Sequence, residues 1–229
     1  MLSRWRFPAI PPFSDKGFLL LLTALFLFLV FVPFLVDYPI GLIALDAMLS
    51  LIVVVATATL CHNKISLAGA VLLGVPTLAA RWLNYLTYRP ELYAVSLMGA
   101  TAFFFYNATL VIWFVMRQRY VTAGTIYGAL AGYLLLGISW GLAFVLLEVL
   151  RPASFNLPTQ LQPGSANLIV DMISYSFITL TTVGYGEISP VTPGARGLSM
   201  VEAILGQFYM AVFVARLIGL RTSQSGRNG

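Results

Sequence analysis

The sequence predicts an all-α integral membrane protein with six transmembrane helices and one shorter re-entrant helix followed by a loop. Two observations carry this. Hydrophobic residues make up 59% of the 229 residues and charged residues 9%, with a mean hydropathy of +0.90. A water-soluble domain of this length could not hide so much apolar surface. The apolar residues also fall into runs of about 20, the length that a helix needs to cross a hydrocarbon core.

Taken in order, Phe18 to Val36 is the first run, preceded by Arg4, Arg6 and Lys16 and closed by Asp37-Tyr38-Pro39. No small-residue cleavage site follows it, so it reads as a retained span and not a signal peptide. Ile40 to Cys61 is the second span, and His62-Asn63-Lys64 a short turn. Ile65 to Tyr88 is the third, with a bend expected at Pro76, where a helix hydrogen bond is lost. Leu92 to Met116 is the fourth, with Arg117-Gln118-Arg119 at its membrane edge. Tyr120 to Leu150 exceeds one span, and its first residues are expected to lie along the interface. Residues 151 to 166 hold Pro152, Pro158, Pro163 and Gly164 and read as an exposed loop. Asn167 to Thr179 is too short to span and reads as re-entrant. Gly197 to Leu220 is the sixth span, and about nine polar residues follow.

With six spans both termini share one side. Placing them in the cytoplasm puts nine basic residues inside and leaves Arg81, Arg89, Arg151 and Arg196 outside, as the positive-inside rule requires. The expected location is a plasma (inner) membrane, multi-pass, with membrane lipids as partners. The net charge of +5 is accounted for at membrane edges and needs no nucleic acid. Asp37, Glu91, Glu148, Asp171 and Glu187 fall outside, where acids raise local cation concentration or stand as ordinary solvated charges. Cys61 is the single cysteine and His62 the single histidine, so an intrachain disulfide and a cysteine-rich metal site are excluded. No catalytic constellation is visible, and no enzyme activity is expected.

The stretch Thr179-Leu180-Thr181-Thr182-Val183-Gly184-Tyr185-Gly186 resembles the selectivity filter of tetrameric potassium channels. A potassium ion entering such a loop trades its water for backbone carbonyls aimed at one axis. That requires alternating backbone hands, with glycine where φ is positive. Gly184 and Gly186 meet the need, Thr182 offers a hydroxyl and a carbonyl, and Val183 and Tyr185 are expected to turn back and brace the loop. The resemblance extends over residues 120–220, read as outer helix, turret, pore helix, filter and inner helix. Glu187, Pro190 and Thr192 are similar to the family's acidic-x-x-Pro-x-Thr pattern, although the family usually has Asp where Glu187 stands. Ser174 and Tyr175 occupy positions where many members have two aromatics. Tyr175 can offer its hydroxyl toward Tyr185, while Ser174 is too short to brace Glu187. With Thr181, Tyr175 and Glu187 are the expected filter supports.

The resemblance implies a homotetramer conducting potassium ions passively, the ions being cargo. Alternatives are a potassium-uptake carrier subunit, a less selective cation channel, or a membrane enzyme or scaffold. Gly206 stands where family members carry an inner-helix glycine that permits bending; a packing glycine is the other reading. Met210, Phe213, Val214 and Leu217, at helical spacing from it, are gate candidates, Phe213 packing on the outer helix being equally open. The implied organisation is an N-terminal segment (1–17), a four-helix voltage-sensor-like domain (18–119), a pore domain (120–220) and a short cytoplasmic tail (221–229). The compact layout resembles prokaryotic six-transmembrane members.

The fourth span has no Lys or Arg between Leu92 and Met116. A voltage sensor moves roughly 3–4 charges per subunit, each worth about 2.3 kcal/mol per 100 mV, so weak voltage dependence is expected. Asp46 is the one acid in the second span and lies at an expected depth similar to Arg81, which makes an Asp46–Arg81 pair the leading reading, ahead of a protonated or water-solvated Asp46. Glu202, in the sixth span, also needs a partner. Gly124, Gly128 and Gly132, and then Gly137 and Gly141, repeat at intervals of four and read as close helix packing.

Overall fold

A computed structural model describes residues 15–36, 38, 41–60, 64–87, 90–118, 120–157 and 166–225. The expectations for Arg4, Arg6, Asp37, Cys61, His62, Arg89, Arg119 and Arg227 lie outside the described residues. The protein is an all-α integral membrane protein. Its helices are α1 (Asp15–Leu35), α2 (Gly41–Leu60), α3 (Lys64–Thr87), α4 (Pro90–Arg117), α5 (Ala123–Leu150), α6 (Ala166–Leu180) and α7 (Pro193–Ser225). Five of them, α1, α3, α4, α5 and α7, are long and apolar enough to cross a bilayer. α2 contributes a shorter apolar stretch, Ile43–Thr59. α6, with 15 residues, is about 22 Å long at 1.5 Å per residue, short of a hydrocarbon core of about 30 Å.

α5 is the hub, packing on α1, α4, α6 and α7. Its glycines make this possible. A Cβ on Gly128 would press on Val115 of α4 and Phe18 of α1, and one on Gly132 on Val111 of α4. Further along, a Cβ on Gly141 would lie 2.7 Å from the Ile173 Cα of α6. One glycine run therefore receives α1 and α4, and the other receives the short helix.

α5 begins at Ala123, so residues 120–122 precede the helix. Thr122 caps the helix directly: its hydroxyl accepts from the Thr125 amide at 3.2 Å, satisfying one of the free donors of the first turn. Only residues 118–122 join α4 to α5. A link so short makes the two helices adjacent and antiparallel, and α4 packs along α5 of its own chain. α1 and α3 continue as helix through Pro33 and Pro76.

After α5 the chain is tied down by one carboxylate. Glu148 accepts from the amides of Ala153, at 2.8 Å, and Phe155, at 3.1 Å. This holds Ala153 at φ +62° and launches β1 (Phe155–Asn156). β1 pairs antiparallel with β2 (Ser189–Pro190), Phe155 opposite Pro190 and Asn156 opposite Ser189. The segments before α6 and after its loop are thus stitched together. Thr192 then begins α7, its hydroxyl accepting from the Ala195 amide, with Pro193 at the first helical position.

Candidate functional site: a carbonyl loop at the end of a short helix

The loop leaving α6 has an alternating backbone. Thr182, Gly184 and Gly186 have positive φ, at +59°, +62° and +85°, and Val183 and Tyr185 do not. Residues of opposite hand in alternation turn successive carbonyls to one side. At Gly184 and Gly186 nothing in the chain lies within 4 Å of an added Cβ, so within the chain glycine answers to dihedral strain there and not to crowding. The start of the loop is anchored to the last turn of α6. Thr181 donates its amide to Phe177 O at 3.0 Å, Thr182 to Thr179 O at 3.0 Å and Val183 to Ile178 O at 3.0 Å. The Thr181 hydroxyl also donates to Phe177 O, at 2.6 Å. The C-terminal end of α6 faces this loop, and a helix C-terminus carries partial negative charge that favours a cation.

Residues 181–187 are all exposed in the single chain. Here the structure corrects the expected bracing. Val183 is 54% exposed and Tyr185 72%, so neither turns back into its own chain. The loop lies at the chain's edge, where only another molecule can receive these side chains. Tyr175 does not reach toward Tyr185 either: its hydroxyl pairs with Ser199 of α7 at 2.7 Å. Its ring packs edge-on to Phe144 and Phe155, fixing α6 against α5 and β1. Ser174 and Glu187 both line a cavity of about 490 Å³ beside the loop, with Asp171, Tyr175 and Thr182. No hydrogen bond joins Ser174 to Glu187.

α7 backs the loop with one face. Glu202, Gly206, Tyr209, Phe213 and Leu217, spaced by threes and fours, are turned toward the chain's own interior. A Cβ on Gly206 would collide with the Leu180 carbonyl oxygen and side chain at the base of the loop. The packing reading of Gly206 therefore has a physical cause. Phe213 is 8% exposed and stacks on Tyr209, whose hydroxyl donates to Ala129 O of α5 at 2.5 Å. This corrects Phe213 as a gate candidate: its ring is committed to packing within the chain. Leu217 is partly buried against the same core, whereas Met210 and Val214 are exposed beside the stripe. Arg216 donates to the Gln118 carbonyl at 2.8 Å, tying the far end of α7 to the α4–α5 link.

Away from the loop, Arg81 donates from Nε, at 2.6 Å, and from a terminal nitrogen to Asp46 Oδ1. The pair joins α3 to α2. Arg117 lies over the Trp113 ring, 4.1 Å from its centroid.

Sequence reasoning missed the polar residues behind the loop. Ser176, Ser199, Tyr133 and Tyr209 drew no reading from the sequence, and Glu148 stood as one outside acid among several. A signal for Glu148 was its place just before a proline- and serine-bearing turn with unpaired amides.

Residues 133–221 match a family model described as ion channel. Among curated proteins, Protein LctB of Bacillus caldotenax is 30% identical over 87 residues, which is 38% of this chain and 64% of that protein. The chain spans less than two thirds of that relative. No solved structure matches.

Proposed function

We propose that this protein is a potassium-selective channel in which four copies surround one pore lined by the carbonyls of residues 182–185. The carrying observation is the alternating backbone of Thr182-Val183-Gly184-Tyr185-Gly186 at the C-terminal end of a helix too short to span. Exposed backbone is tolerated at membrane depth only where it is buried in protein or lines a water-filled path. One strand cannot surround an ion; four supply a ring of oxygens. Val183 and Tyr185 then find their packing on a neighbouring copy. The outward stripe of α7, with Val201, Ile204, Phe208 and Val212, is apolar and uncovered, and suits contact with the same neighbour. The match of residues 133–221 to an ion-channel model supports the same reading. Residues 18–119 form a voltage-sensor-like module without a sensor, and residues 120–220 the pore module. The termini are cytoplasmic, in the plasma (inner) membrane.

The test is unitary current from the purified protein in a planar bilayer, followed by reversal potentials with potassium on one side and sodium on the other. Strong potassium preference is expected. Near-equal permeability would replace this reading with a less selective cation channel. Transport without unitary steps would replace it with a carrier subunit.

A further inference from the structure

Glu202 is fully buried on α7, one turn before Gly206. Its Oε1 lies within hydrogen-bond distance of the Ser176 hydroxyl on α6, and its Oε2 has no partner. The Ser176 oxygen is also 2.7 Å from the Gly137 carbonyl oxygen of α5. Ser176 therefore has an oxygen on each side of it and one hydroxyl hydrogen to give. A carbonyl oxygen can only accept, so the Gly137 contact uses Ser176's hydrogen. The contact with Glu202 then needs a hydrogen from Glu202.

A second argument agrees. An ionised carboxylate at this place would be buried with no cation beside it and with Oε2 unsatisfied, at a cost of several kcal/mol. Glu202 forms no ion pair among the described residues. Tyr133 is the phenol of α5 within electrostatic reach of Glu202, and its hydroxyl is directed to Leu180 O at 3.4 Å. The Tyr209 hydroxyl on α7 is directed to Ala129 O.

We propose that Glu202 stands as an uncharged carboxylic acid that donates to Ser176, which donates to Gly137 O, and that this relay fastens α7 to α6 and α5 directly behind the carbonyl loop. Ser176 is one turn before Leu180 as Glu202 is one turn before Gly206, so the bond sits beside the close contact of Gly206 with the base of the loop. Glu202 is thus a positioning residue. Its effect on conduction rests on the channel reading; its protonation does not.

Two measurements test this. Infrared difference spectra of the purified, lipid-reconstituted protein at neutral pH, wild type minus Glu202→Gln, are expected to show the C=O stretch of a protonated carboxyl. In Ser176→Ala that band should move toward the frequency of a free acid. A carboxylate band in its place overturns the proposal. In bilayers, Glu202→Gln, which keeps a neutral donor, is expected to retain conduction. Glu202→Leu and the milder Ser176→Ala are expected to lower open probability roughly tenfold, as for one lost buried hydrogen bond. Glu202→Gln behaving like Glu202→Leu, or Ser176→Ala behaving like wild type, overturns the positioning role. If wild type itself carries no current, the channel reading fails and the infrared result still decides the state of Glu202.

Discussion

At the scale of single residues, the loop depends on dihedrals that glycine adopts without strain. Gly184, at φ +62°, has open space within its own chain where a Cβ would go, so Gly184→Ala meets no clash inside that chain. It meets instead the left-handed penalty of about 1–2 kcal/mol, imposed once per copy around a proposed ring of four. The expected outcome is loss of potassium current with the protein still folded, checked by bilayer recording beside thermal unfolding. The Asp46–Arg81 pair acts on stability. Its partners are mostly buried, and removing one leaves the other charge uncompensated. Asp46→Asn is expected to destabilise the protein by about 3–5 kcal/mol, as for other broken buried pairs. Replacing both residues with apolar ones of similar size should recover most of the loss. A melting series on the single and double variants checks this; equal melting temperatures for wild type and Asp46→Asn would refute it.

At the scale of elements, the weak voltage response expected of the proposed channel rests on α4, and the packing of the chain rests on α5. α4 carries no basic residue from Leu92 to Met116, and Arg117 is occupied at its end by the Trp113 ring. With each charge worth about 2.3 kcal/mol per 100 mV, a helix that moves less than about one charge cannot bias opening steeply. Open probability is expected to change only shallowly over 100 mV. A steep conductance–voltage curve, with gating currents abolished by neutralising Arg117 and Arg119, would show that those edge residues cross the field. On α5, Gly141 sits against the Ile173 backbone of α6, and a backbone cannot swing aside as a side chain can. Gly141→Leu is expected to destabilise by about 1–3 kcal/mol through overpacking and to displace α6, lowering both melting temperature and conductance. An unchanged melting temperature would mean that the two helices are not in contact there.

At the scale of the whole molecule, the surfaces that the single chain leaves uncovered include the loop, with Val183 and Tyr185 projecting from it, and the outward stripe of α7. A tetramer is expected in mild detergent. Native mass or cross-linking that gave a monomer or dimer as the conducting unit would contradict it. The short α4–α5 link has a consequence for that assembly. Because α1 and α4 pack on α5 of their own chain, each copy in the proposed tetramer is expected to keep its first four helices against its own α5. Arg216, bonded to Gln118 O, adds a direct tie between the C-terminal part of α7 and the α4–α5 link.

Fold class was legible in the sequence because membrane insertion leaves a simple record: runs of apolar residues about as long as the bilayer is thick. The carbonyl loop was legible because positive φ leaves its own record, in Gly184 and Gly186. The glycine spacing of α5 and the depth match of Asp46 with Arg81 were legible through helix geometry alone. What the tertiary structure decided were matters of direction. Spacing from Gly206 grouped Phe213 with Met210 and Val214, yet only Phe213 is buried, stacked on Tyr209, which itself bonds to Ala129 O of α5. The Tyr175 hydroxyl could reach several partners, and the meeting of α6 with α7 assigned it to Ser199. Val183 and Tyr185 carry no mark saying whether their cover comes from their own chain or another. Glu202 gained its partner when three successive helices, α5, α6 and α7, converged on one serine hydroxyl. A helix's identity is set by local composition and period, whereas the target of a buried polar group depends on which helices meet, and that is a property of the folded chain.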